Sequence, residues 1–183
     1  MMTKEEPPSS PFGDEHYIQL HNNVCVAIHQ ISLSSVPSLV ELGVWAATAI
    51  QTVDLNNTEI SIRVVDCEEM SMLNGQYRGK HKTTNVLSFF TEALAGTDSS
   101  DLADIAICAD VVNQEATEQS KQNSAHWAHM LTHGVLHVAG YDHENEVDAL
   151  EMEALETQIL VGQGFSAPYE VHSNFQQGSV NAG

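Results

Sequence analysis

Positive charge is scarce in this chain: Lys and Arg number 6 against 25 Asp and Glu, a formal net charge of −19. That balance excludes a broad basic face for nucleic acid, so any polyanion has to be met at one local patch. Cysteine is scarce as well. Cys25, Cys67 and Cys108 are odd in number, far apart in sequence and in no C-x-x-C pair, which argues against a disulfide framework or a thiolate zinc site and leaves buried free thiols as the expectation. No run of about 18 apolar residues occurs, so no membrane-spanning helix is expected. Residues 1–14 are rich in Pro, Ser and Glu and lack the apolar stretch of a secretory signal, which makes the cytoplasm the expected compartment. There is no internal repeat.

What is present is a globular composition, 42% apolar over 183 residues. A chain of this size buries roughly 70% of its unfolded surface as one domain. We expect that domain over residues 15–170, between disordered tails at 1–14 and 171–183. Alternation predicts strands over Tyr17–Ile28, Thr58–Val65, Thr84–Phe90 and Leu102–Cys108, the last two joined as a hairpin. Helical spacing predicts a helix over Val36–Ile50, capped by Ser34 or Ser35, with Val36, Leu39, Val40, Val44 and Ala47 inward. Asp66 and Glu69 form a capping-box-like start for a short helix through Leu73 that ends near Asn74-Gly75. Asp110 to about Ala139 reads as two helical pieces broken near Asn123-Ser124. A last helix over Glu144–Val161 would turn Val147, Leu150, Leu155 and Ile159 inward. The order βαβαββαα is that of an α+β fold, a small mixed sheet packed with helices.

Charge is polarised along this chain. Arg78, Lys80 and Lys82, three of the six basic residues, fall within five positions, on what reads as a loop before a strand. Asp142, Glu144, Glu146, Asp148, Glu151, Glu153 and Glu156 crowd the stretch after His137, as the exposed face of a helix would.

Between these two regions lies the segment with the most chemistry, His133 to His143, which holds three histidines in eleven residues. In a helix, His133 and His137 are i and i+4, with Cβ atoms about 5 to 6 Å apart on one face. Gly140 is placed to end that helix in a left-handed cap and return the chain, so that His143 closes the set. Three imidazoles leave one tetrahedral position of a zinc ion open, as catalytic sites do. His129 and His133 also stand i and i+4, but His143 suits the later pair. His129 is then an orienting or packed residue and His126 a solvated one. Asp142 either orients an imidazole or finishes the turn.

An open position on such an ion activates water, so hydrolysis is the chemistry indicated. The spacing H-x-x-x-H-x-x-G-x-x-H is shared with the metzincin proteases, whose general base is a Glu directly after the first His. Here that position is Gly134, which weakens peptide hydrolysis. A phosphodiester instead needs a cation for charge building on phosphoryl oxygens, and Arg78 is the available fork of donors. A non-catalytic role, with the metal stiffening the helix end of an assembly factor, is the other alternative.

The same residues resemble the YbeY family of single-strand-specific endoribonucleases. The resemblance is carried by His133–His143, by Leu73-Asn74 with Tyr77-Arg78-Gly79-Lys80 and Thr83-Thr84-Asn85-Val86-Leu87-Ser88-Phe89, by Asp104-Ile105 and by Glu151–Glu156. It implies a zincin-like α+β fold, one zinc ion on His133, His137 and His143, Arg78 acting on the phosphate, and Lys80 and Lys82 as RNA-binding residues. It also implies work on ribosomal RNA in late small-subunit maturation and ribosome quality control. The implied partners are small-subunit ribosomal proteins, with Asp104 as a contact, and the GTPase Era as a candidate. Two positions depart from the family pattern: Asn85 stands where Asp is usual, and Ala103 where Gly is.

Overall fold

The computed structural model describes residues 14–93, 95 and 99–169. The expected tails, 1–14 and 171–183, lie outside the described residues apart from Asp14. Ten elements follow in order: β1 (Asp14–Gln19), β2 (Cys25–Gln30), α1 (Leu39–Thr52), β3 (Thr58–Val65), α2 (Cys67–Arg78), β4 (Val86–Thr91), β5 (Asp101–Cys108), α3 (Ala109–Glu118), α4 (Asn123–Val138) and α5 (Glu146–Gly162). The strands form one mixed sheet in the order β1-β2-β3-β5-β4. β2, β3 and β5 run parallel, while β1 and β4 add antiparallel edges. The fold is α+β, as expected.

The strand predicted over Tyr17–Ile28 is two strands. Asn22 and Asn23 both take positive φ, 58° and 56°, and turn the chain between β1 and β2. Asn tolerates that conformation better than other residues with a side chain.

On one sheet face Ile60, Ile62 and Val64 of β3 and Ala103, Ile105 and Ile107 of β5 pack with α1, α4 and α5 in the main core. Along each strand side chains alternate, so Val65, Leu87, Ala106 and Cys108 face the other way, where Met70 and Leu73 of α2 cover them. This second cluster brings two thiols together: Cys67 Sγ and Cys108 Sγ lie 3.7 Å apart. Cysteine burial was overestimated, since only Cys108 is buried, Cys67 is half-buried and Cys25 is exposed.

The helix-face expectations need correction. In α1 the buried side chains are Leu42, Trp45, Ala46, Ala49 and Ile50, whereas Val40 and Val44 are 60% and 57% exposed. The helix is apolar on two faces, and the sheet takes the one carrying Trp45. Its cap is Ser38, which accepts from the Glu41 amide while Glu41 accepts from the Ser38 amide. In α5, Val147 and Leu150 are exposed, and Met152, Glu156, Ile159 and Leu160 are buried.

α2 also runs past its predicted end to Arg78, capped by Gly79 at φ 66°. Asn74 and Gly75 resemble a turn in sequence but serve the helix. The Asn74 amide donates to Lys82 O at 2.7 Å, and a Cβ on Gly75 would meet the His81 ring at 2.4 Å. Both residues fold the basic loop back against α2. Arg78 is therefore the last residue of a helix, and only Lys80 and Lys82 lie on the loop.

Candidate metal centre and phosphate site

α4 carries four of the histidines and rests on the sheet at Gly134. A Cβ there would sit 2.9 Å from Ile105 Cγ2 and 3.2 Å from Val86 Cγ2, so glycine lets helix and sheet touch. Ser88 Oγ of β4 adds a hydrogen bond to Gly134 O at 3.0 Å. The residue after His133 thus faces the sheet, and the metzincin base has no counterpart there. With Gly134 inward, His133 and His137 emerge beside the edge strand β4.

After α4 the chain reverses at Gly140, φ 89°, with the Tyr141 amide donating to Leu136 O at 3.0 Å. His143 returns to the helical pair. One ring nitrogen from each of His133, His137 and His143 lies within 4.8 Å of the others. His133 and His137 are half-buried and His143 is exposed.

The hydrogen bonds select which nitrogens face the site. His133 Nδ1 donates to Glu156 Oε1 at 2.7 Å, and His137 Nδ1 donates to Tyr141 O at 3.0 Å. A carboxylate and a carbonyl only accept, so both rings carry the proton on Nδ1 and present bare Nε2 lone pairs. Those two Nε2 atoms are 3.0 Å apart. Opposed lone pairs repel unless a proton or a cation stands between them. Burial, with the charges of His133 and His143, pushes the His137 pKa below its ordinary value, which disfavours the proton. The donor set therefore fits a borderline-soft cation such as zinc, held by imidazoles whose far nitrogens are oriented by the protein.

Glu156 is the residue that sequence reading placed on an exposed face. It is fully buried and accepts from three side chains: His133, His129 at 3.2 Å, and the Tyr169 hydroxyl. Burial alone raises its pKa, but the hydrogen bonds of His129 and His133 outweigh burial and hold it down to about 2. Burial and Glu156 together raise the Tyr169 pKa, so Tyr169 stays a neutral donor. A signal for Glu156 exists in the sequence. It stands four residues from Met152 and three and four from Ile159 and Leu160, at core spacing on α5.

His126, expected to be solvated, is 2% exposed, with Nε2 bonded to Glu115 Oε2 at 2.9 Å. Burial lowers its pKa more than Glu115 raises it, so it is a neutral donor and the contact is a hydrogen bond between unlike charge states. Glu115 also takes the Asn85 amide, 3.2 Å from each carboxylate oxygen. The amide of Asn85 suits this neighbour, where an aspartate would set two carboxylates together. Asp142 finishes the turn: its Oδ1 accepts from the His143 amide at 2.7 Å.

Arg78 shares a cavity of about 340 Å³ with the three histidines, Asn85 and Ser88. Its guanidinium reaches Ser88 O at 3.5 Å, the outer limit of a hydrogen bond, and most of its donors are free among the described residues. Lys80 and Lys82 line an adjoining cavity together with Arg78, His137 and His143. Asp104 is not brought to this place. It is mid-strand in β5, paired with Phe89 and Ser61, and exposed on the opposite sheet face.

The model of the family described as endoribonuclease YbeY matches residues 29–163, well over half of the chain. Among solved structures, the solution structure of TM1509 from Thermotoga maritima is similar: 25% identity, 73% of this chain and 86% of that chain covered, TM-score 0.49.

Proposed function

With that match the chain belongs to the YbeY endoribonuclease family, and on this premise we propose that it is a zinc-dependent, single-strand-specific endoribonuclease of late small-subunit ribosomal RNA maturation and ribosome quality control. The family carries RNA cleavage in ribosomal RNA maturation; zinc, strand preference and quality control are our reading. One observation carries it: the three-imidazole cluster and Arg78 line the same cavity, in a chain with only 6 Lys and Arg against 25 Asp and Glu.

In this reading His133, His137 and His143 hold the ion, which when bound supplies Lewis acidity toward a phosphoryl oxygen and water. Glu156 and the Tyr141 carbonyl hold Nδ1 of the first two imidazoles and so aim Nε2 at the site. Arg78 grips the nonbridging oxygens of the scissile phosphate and offsets charge as it builds there. Lys80 and Lys82 hold neighbouring phosphates. The acidic remainder of the surface repels RNA from everywhere else, so the strand is confined to this groove. Peptide hydrolysis is disfavoured by Gly134, whose position faces Ile105 rather than the cavity.

We extend the proposal to a single catalytic domain over residues 15–170 that works in the cytoplasm, with small-subunit ribosomal proteins as partners, Asp104 as a contact for one of them, and the GTPase Era as a further partner. Among the described residues no helix is long and apolar enough to cross a membrane.

The test is zinc-loaded protein with unstructured and duplex RNA, beside Arg78→Glu. The native protein is expected to cut only the unstructured strand. The variant should lose at least about 100-fold in cleavage with its zinc content unchanged. Full activity in the variant would reject the role of Arg78. Absence of cutting by nuclease-free native protein would favour a non-catalytic assembly factor.

A further inference from the structure

The two arginines of the chain, Arg63 and Arg78, line a second cavity, of about 600 Å³, on the sheet face away from the histidines. Its floor is β4 and β5, and the C-terminal half of α2 walls it. Tyr77 stands at this wall, 55% exposed, its ring 4.7 Å from that of Phe89 and tilted 50° to it. The Arg78 guanidinium lies 6.0 Å from the centre of the same Phe89 ring.

The charge of this cavity differs from that of the histidine cavity. Arg63 is ion-paired with Glu69, and Asp104 adds a carboxylate to the floor. A second phosphate finds no free cation there besides Arg78, which the histidine cavity shares. A flat, neutral, aromatic ring finds a tyrosine that is more than half exposed. The two cavities are also joined: Arg78 lines both, because the end of α2 reaches across the edge strand β4 to Ser88. Among the described residues no strand pairs with the outer side of β4, so a chain can cross its edge.

We infer that this second cavity seats one nucleobase of the RNA, the base next to the phosphate held by Arg78, stacked on Tyr77. The inference rests on the endoribonuclease reading and deepens it. The strand passes over the β4 edge with its phosphate at Arg78, its scissile bond toward the histidines and one base turned to the opposite sheet face. A base held there is withdrawn from pairing, which gives a physical reason for single-strand preference. Stacking on an aromatic ring tolerates any base, so the subsite confers strand type more than sequence.

The test uses zinc-loaded full-length protein and a set of single-stranded RNA oligonucleotides, each with one abasic nucleotide, walked through a mapped cleavage site. Affinity is read by fluorescence anisotropy and cleavage on the same set. One abasic position is expected to cost roughly 5- to 150-fold in affinity, the range of a single base stack. Tyr77→Ala should lose the same factor on intact RNA and become indifferent to that abasic position, while Tyr77→Phe keeps the native pattern. Equal losses at every position, or an undiminished penalty in Tyr77→Ala, overturn the base subsite and leave the cavity to a protein partner. If the native protein neither binds nor cuts RNA, the endoribonuclease reading falls first, and the subsite with it.

Discussion

Two pairs of histidines share α4, and they do opposite things. His126 and His129 are buried with Nε2 turned to a carboxylate, Glu115 or Glu156, and with Nδ1 unpartnered among the described residues. His133 and His137 have Nδ1 tied and Nε2 bare toward a cavity. Residue type is the same in both pairs and the spacing is close, i,i+3 in the first and i,i+4 in the second. What separates them is where the unengaged nitrogen lies: Nδ1 of the first pair is buried, whereas Nε2 of the second pair opens on the cavity. Glu156 touches both pairs, accepting from His129 and from His133, so one carboxylate anchors the packed half and aims the ligand half.

The sharpest test of this division is to remove one histidine from each half. His137→Ala is expected to empty the site, so metal content by mass spectrometry falls from about one ion per chain to background and RNA cleavage disappears. Retained stoichiometric metal in that variant would break the assignment of the two halves. Next in size is the shared carboxylate. Glu156→Gln keeps the volume but removes the charge that orients His133, and zinc affinity measured by chelator competition should fall about 10- to 100-fold. An unchanged affinity would make Glu156 a packing residue only.

His126→Ala should leave zinc binding intact and cost about 1–3 kcal/mol in urea unfolding, because Glu115 loses a buried donor. Loss of metal in this variant would show that the halves are not separable. The smallest effect expected is in pH dependence. The folded His126 pKa lies below 6.5, so the unfolded chain binds more protons just below that value, and stability should decline as pH falls through 6.5. Glu156, held at about 2 against 4.5, contributes stability above pH 4.5 that is lost as pH falls from there toward 2. Urea midpoints against pH should show both windows in the native protein, and His126→Ala should shrink only the upper one, to which the lowered pKa of His137 also contributes.

Strand and helix order was largely legible because each rests on local period and caps, as at Asp66 and along Thr58–Val65. The inward faces of α1 and α5 were not. Both helices carry apolar residues on more than one face, and Val40, Val44, Val147 and Leu150 lost to Trp45, Met152 and Leu160 when packing against α4 and its neighbours chose a side. Asn74-Gly75 misled for a related reason: these residues punctuate loops in isolation, and only the return of Lys82 and His81 onto α2 explains them inside a helix. Glu156 was invisible as a partner because its burial depends on α5 packing against α4.

The grouping of His133, His137 and His143 is written in the sequence alone, since one helical turn and one glycine cap set it within eleven residues. What tertiary structure alone decided is which distant residues join the group. Arg78 reaches the cavity because α2 ends at β4, β4 touches α4 because Gly134 has no side chain, and Glu156 aims His133 from another helix. Those contacts join residues tens of positions apart, where no local period can place them; packing does.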